Sequence, residues 1–153
     1  MRLLLLTMIA VLLLLEPALA EVVSGKATTA GPGALDVGGK TIRLDDIRMP
    51  GKAAKCSEWR GQKQVPFSCG DHAEAALASL IADRTVVCAA EDGTGTCYVD
   101  GRDIAERLVT EGWASACGQT ARYVSLETTA RQARQGMWTG NFTLDTTCPS
   151  AQP

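Results

Sequence analysis

Histidine is almost missing from this chain of 153 residues; His72 is the only one. So scarce a ligand argues against a Cys/His zinc site. His72 has no cysteine or serine beside it and reads as a surface residue of a helix. No two of the six cysteines are spaced C-x-x-C, which removes the usual dithiol redox and zinc motifs. Ser57, Ser68 and Ser115 lack the G-x-S-x-G surroundings of a hydrolase nucleophile. A surplus of positive charge is missing too, since the formal net charge is −2 at pH 7. Nucleic-acid binding draws much of its affinity from neutralising phosphates. A nucleic acid is therefore admitted as a partner but not favoured. A local basic patch around Arg43, Arg48, Lys52 and Lys55 is the exception.

What the chain does contain begins with a leader. Arg2 precedes an apolar run from Leu3 to Leu15, and Pro17-Ala18-Leu19-Ala20 ends in a small-x-small pattern. The run suits a signal peptide and is short for a membrane span. The pattern predicts a signal peptide over 1–20, one domain over 21–142 and a polar tail over 143–153. No cysteine directly follows the cleavage point, the first being Cys56, so no lipid anchor and no stable membrane attachment is expected afterwards. Removing Arg2 and Glu16 takes one charge of each sign from the 15 basic and 17 acidic residues, so the balance is unchanged. The remainder is long enough for one domain with its own core, expected as a monomer, secreted or periplasmic.

All six cysteines lie beyond the leader: Cys56, Cys69, Cys88, Cys97, Cys117 and Cys148. An even number in an oxidising compartment reads as three disulfides, whose connectivity sequence alone does not decide. The hairpin reading below places Cys88 opposite Cys97. A Cys56–Cys69 bridge would staple a long polar connection over residues 48–70. Cys117–Cys148 is then left by elimination.

Along the domain, Val22–Thr29 reads as a first strand. Leu35 and Val37 alternate with polar neighbours, Gly38-Gly39 signals a hairpin, and Ile42 and Leu44 continue into a third strand. Three short strands joined by glycine-rich turns suit a small Greek-key barrel. Ala73, Ala76, Leu77, Leu80 and Ile81 share one face of a helix over Asp71–Ala82, with Asp71 at its positive end. Thr85–Cys88 and Cys97–Val99 are strands around a Gly93-Thr94-Gly95 turn. A second helix starts at Asp103, with Ile104, Leu108 and Val109 inward. A third runs from Ala121 with a stripe of Tyr123, Leu126, Ala130, Ala133 and Met137, stopped by Gly136. The fold class is α+β. Asn141-Phe142-Thr143 fits a glycosylation acceptor, a match short enough to arise by chance.

The segment Thr41-Ile42-Arg43-Leu44-Asp45-Asp46-Ile47-Arg48-Met49-Pro50-Gly51 resembles the core strand and catalytic loop of a thermonuclease (staphylococcal nuclease-like) domain, roughly I-R-L-x-x-I-D-x-P-E. Leu108-Val109 with Glu111-Gly112-Trp113-Ala114 is similar to the family's L-V-x-x-G-x-A. Ala130–Trp138 is similar to its A-x-x-A-R-x-x-G-x-W. Cys56 through Cys69-Gly70 is similar to exported bacterial members. The likeness covers about residues 22–142, and it implies a five-stranded OB-type Greek-key barrel with about three helices.

The resemblance also implies calcium-dependent hydrolysis of DNA and RNA phosphodiesters. That chemistry needs a cation, guanidinium groups and a carboxylate near the attacking water, and calcium needs several hard oxygen ligands. Carried over by position, the first calcium aspartate belongs to a turn that here reads Gly31-Pro32-Gly33-Ala34. The second falls on Arg48, its neighbouring threonine on Met49, and the catalytic glutamate on Gly51. A second arginine has no counterpart in Ala89–Thr96. Arg43 alone is retained, and its plainer reading is a strand residue paired with a neighbouring carboxylate. Asp36, Asp45 and Asp46 read as surface charges. The expectation is a barrel without catalysis, metal or cofactor, acting as a binding or structural module. An active secreted nuclease and an envelope protein-interaction module are the alternatives. Ligand and partner identity stay unknown at this stage.

Overall fold

The computed structural model describes residues 20–117, 120–140 and 142. The expected leader over 1–20 (apart from Ala20), Gly118, Gln119, Asn141, and the expected tail over 143–153 with Cys148 lie outside the described residues.

Strand β1 (Glu21–Thr29) turns through Gly31–Gly33 into β2 (Ala34–Val37), and β2 turns at Gly38-Gly39 into β3 (Lys40–Leu44). The two glycines sit at φ 60° and 84°, the left-handed region a tight hairpin demands. The Asp36 carboxylate fixes this turn by accepting from the Gly39 N–H at 2.9 Å. Strands β7 (Thr85–Glu91) and β8 (Thr94–Val99) form the second hairpin. Its turn is Asp92-Gly93, at φ 50° and 76°, one step before the expected Gly93-Thr94-Gly95. A two-residue turn with both φ positive matches the twist of the flanking strands, and Asp-Gly supplies it.

The sheet runs β3-β2-β1-β7-β8-β9, with β9 covering only Arg102–Asp103. It closes on itself where β3 meets β8 in parallel, Arg43 opposite Thr94 and Leu44 opposite Gly95. A side chain on Gly95 would come within 2.2 Å of the Ala89 carbonyl, so only glycine fits this corner. Five strands thus make an OB-type barrel, as their period-two pattern implied. Ile42, Leu44, Val86, Cys88, Cys97 and Val99 point inward and are buried. Cys88 and Cys97 stand opposite in register and are bridged, with Cα atoms 4.0 Å apart, inside the barrel.

Helix α1 (Cys69–Ile81) caps the barrel with Ala73, Leu77 and Ile81. It starts two residues before the expected Asp71. Helix α2 (Ile104–Thr110) is capped by Asp103, whose carboxylate accepts from the Ala105 and Glu106 N–H groups at 2.8 and 3.2 Å. Helix α3 (Ala121–Gln132) is shorter than its apolar stripe suggested. The chain leaves it at Ala133 and Arg134, the latter at φ 52°, so Ala133 is exposed. Met137 is still buried, but on a 3-10 turn over Gly136–Thr139. There Gly136 and Gly112 cross so closely that a side chain on Gly136 would lie 2.5 Å from the Gly112 carbonyl.

The long connection over 48–70 is not a loop. Short β4 (Ile47–Arg48) pairs with β10 (Ser115–Ala116), and β5 (Cys56–Arg60) pairs with β6 (Lys63–Phe67) as a separate hairpin. Strands β4 and β10 are two residues each, too short to show a period, and in β6 the alternation of Val65 and Phe67 is interrupted by Pro66. The β5–β6 hairpin is polar, carries Pro66 and covers only a small second core. That core holds Cys56, Cys69, Ala130, Met137 and Trp138, with Phe67, Trp113 and Phe142 at its margin. The Cys56–Cys69 bridge ties the hairpin base to α1, with Cα atoms 5.5 Å apart. Cys117 is disulfide-bonded as well.

Candidate functional site

Three chain segments converge at the end of β3. The Leu44 N–H donates to the Gly33 carbonyl of the β1–β2 turn at 2.8 Å. The Arg43 N–H donates to the Gly93 carbonyl at 2.8 Å, and the Asp45 N–H to the Gly95 carbonyl at 3.1 Å, which brings in the β7–β8 hairpin. This is where the resemblance puts calcium and the reacting phosphate.

The side chains that meet there are of another kind. Gly33 is buried at φ 69°, and a side chain built on it would touch the Met49 Cγ at 3.9 Å and Sδ at 4.0 Å. Met49 itself is buried. An aliphatic thioether therefore abuts the place of the first expected carboxylate. Arg48 is half-buried and in register with Ser115. Gly51 is exposed, and a side chain on it would meet nothing within 4 Å. Its carbonyl is pressed against the first turn of α1, where a side chain on Gly70 would come within 2.0 Å of it. Calcium takes hard oxygen ligands; a thioether, a guanidinium and two glycines do not fit it. Among the described residues no cluster of three or more His, Cys, Asp or Glu could hold a metal ion.

Arg43 is exposed, and among the described residues its guanidinium has no ion pair or hydrogen bond. The neighbouring carboxylate expected for it is not there. Asp45 and Asp46 flank the turn into β4 and divide in role. Asp46 sits at φ 54°; its carboxylate accepts from the Thr120 hydroxyl at 2.5 Å and its carbonyl from the Cys117 N–H at 2.7 Å. It tethers the approach to α3. The Asp45 carboxyl is half-buried, and burial, then the charge of Asp46, raises its pKa above the ordinary 3.8.

Two polar arrangements behind this region were not evident from sequence. Glu127, on α3, accepts from the Ala116 N–H at 2.6 Å and the Ser115 hydroxyl at 3.1 Å. Arg131 pairs with it at 2.6 Å and lies 3.7 Å over the Trp138 ring. The pair pins β10, and through it β4 with Arg48. The i,i+4 spacing of Glu127 and Arg131 was the available signal. The Tyr123 hydroxyl donates to the Asp103 carboxylate. Burial first, then Asp103, pushes the Tyr123 pKa up.

His72 is exposed yet bound into the second core. Its ring stacks on Trp113 at 5.9 Å, meets Phe67 edge-on at 5.6 Å, and sets Nδ1 2.7 Å from the Ser68 carbonyl. A concavity of about 500 Å³ lies alongside the convergence of segments, lined by Glu21 and Val23, by Lys40–Ile42 of β3 and by Ala90–Gly93, so that it shares Gly93 with the convergence. Arg43 and Met49 take no part in it.

A closed five-stranded barrel with this order, capped by helices and carrying Arg43 at the end of its third strand, defines an OB-type nuclease-like domain. A family model described as staphylococcal nuclease homologue matches residues 41–140. The chain belongs to that family. No curated protein matches it.

Proposed function

We propose that this chain is an exported, disulfide-stapled member of the family that has lost calcium binding and hydrolysis and serves as a binding or structural module. The observation that carries this reading is the side-chain set at the end of β3: Gly33, Met49, Arg48 and Gly51 stand where the chemistry needs carboxylates and a hydroxyl. Such groups act together on one developing charge, so a single retained arginine does not replace them. Arg43, exposed at the convergence of three segments, is the residue we assign to ligand contact. Export rests on the leader over 1–20 and is supported by the disulfides, which persist in oxidising compartments. The domain is taken as 21–142, followed by the tail.

Isothermal titration of the purified protein with calcium tests the metal half of this reading. A flat titration is expected. Low-micromolar affinity that Arg48→Glu or Asp45→Asn alters would sink it. Gly51 has room for a side chain, so Gly51→Glu is expected to fold and still to bind no calcium.

A further inference from the structure

The β5–β6 hairpin is the part of the molecule that the barrel explains least. Its base is buried through Cys56 and Cys69, but every residue from Trp59 to Gln64 is exposed. Trp59 keeps 51% of its surface in water. Arg60 and Lys63 face each other in register across the turn. Like charges directly opposite on a hairpin destabilise it. Glu58 offsets one of them, pairing with Arg60 at 2.6 Å. The Lys63 ammonium has no ion pair among the described residues. Lys52 and Lys55 add positive charge near the base, where Lys52 is 3.7 Å from Glu74. A large ring left in water on one face of the hairpin, and two opposed cations on the other face one pair nearer the turn, are not what folding alone selects. Local rules are broken where function requires it.

A tryptophan with one wet and one apolar side suits the boundary between water and hydrocarbon. The lysine and arginine one pair nearer the turn suit anionic headgroups. We propose that the hairpin end is a peripheral contact for an anionic phospholipid surface, with Trp59 seated at headgroup level and Arg60 and Lys63 on lipid phosphates. Among the described residues no helix is long and apolar enough to cross a membrane. A single-stranded nucleic acid fits less well. It would run past the hairpin over a chain of net charge −2, and one exposed tryptophan is not the row of stacking rings such ligands use. A flat membrane need touch only the exposed end, Trp59–Gln64. Charges farther off than about 8 Å are screened from it at physiological salt.

This goes beyond the binding-module reading, whose ligand contact is Arg43, by assigning a partner to a second surface. Calcium titration addresses that reading, whereas vesicle binding addresses the partner alone. The test is co-sedimentation of the protein, purified after expression with its own leader, with phosphatidylcholine vesicles containing one-third phosphatidylglycerol. Pure phosphatidylcholine vesicles are the control. Binding to the anionic vesicles only, weakened by salt, is expected. Trp59→Ala and Lys63→Glu should each lower the partition coefficient roughly tenfold. Both sites are exposed, so circular dichroism and the unfolding midpoint should not change. A blue shift of fluorescence on binding should vanish in Trp59→Phe. No partition onto anionic vesicles, partition indifferent to Trp59→Ala, or hairpin-dependent binding of a single-stranded oligonucleotide instead would each overturn the proposal.

Discussion

The barrel and the hairpin annex are held together by different means. In the barrel and the α2 helix packed on it, Leu35, Ile42, Leu44, Val86 and Leu108 are each almost fully withdrawn from water. Such burial contributes about 1.5–3 kcal/mol per side chain. The Cys88–Cys97 bridge sits among side chains that already hold the hairpin in register. The annex has little of this. Its small core is shared between Phe67, Trp113 and Trp138, while its outer strand residues face solvent. The Cys56–Cys69 bridge is its main restraint. The comparison teaches that one domain can contain a part stabilised by area and a part stabilised by a covalent link. They should respond differently to the same insult.

The largest expected effect is Leu108→Ala, which leaves a cavity between α2 and the barrel. Losses of about 2–5 kcal/mol follow such truncations. Urea unfolding should show both regions lost in one transition. Two separate transitions would mean that the annex does not depend on the barrel.

Next is the double change Cys56→Ser and Cys69→Ser. A bridge closing a loop of this length contributes about 3 kcal/mol in the chain-entropy account. The loss should be local: amides of β5 and β6 should exchange faster and the hairpin should become protease-sensitive, while β1, β7 and β8 keep their protection. Equal loss of protection in both regions would erase the distinction drawn here.

Third is Asp103→Ala. It removes the α2 cap, about 1 kcal/mol, and leaves the Tyr123 hydroxyl without its acceptor, a further cost of about 1–3 kcal/mol. Tyr123→Phe should cost less, because the cap stays. Chemical denaturation of both variants and of the double variant measures the coupling; an additive double variant would show that Tyr123 and Asp103 act separately.

The smallest effect is at Asp45. A carboxyl whose folded pKa lies above its unfolded value binds its proton more tightly when folded. Its ionisation therefore opposes folding as pH rises from about the ordinary value of 3.8 through the raised folded pKa. Above that window the penalty is fully present; below it the penalty is gone. Asp45→Asn should be slightly more stable than the parent at neutral pH and indistinguishable at acid pH. Melting curves across that range check the sign.

The same contrast explains what sequence could and could not disclose. The barrel strands were legible because one face is buried and the other wet, which writes a period of two into Val37, Ile42 and Leu44. Asp103 was legible as a helix start because a short carboxylate before an apolar run has one common use. Strands β5 and β6 were not legible, since only Val65 and Phe67 alternate, Pro66 lies between them, and β5 offers no matching apolar face. The end of α3 was misplaced because Met137 keeps helical spacing to Ala130 although the chain between them leaves the helix. At the site, the positions of Gly33, Arg48 and Gly51 could be read from the resemblance. That Met49 abuts Gly33, and that no carboxylate pairs with Arg43 among the described residues, required the fold.

The most direct measurement of the central claim is nucleotide release from single-stranded DNA and RNA by the purified protein, with calcium and with chelator. Unassisted phosphodiester hydrolysis is very slow, so retained catalysis would stand far above background. The account predicts no release in either condition, from the parent or from Gly51→Glu. Robust calcium-dependent cleavage by the parent, abolished by Arg43→Ala, would contradict it and identify an active nuclease.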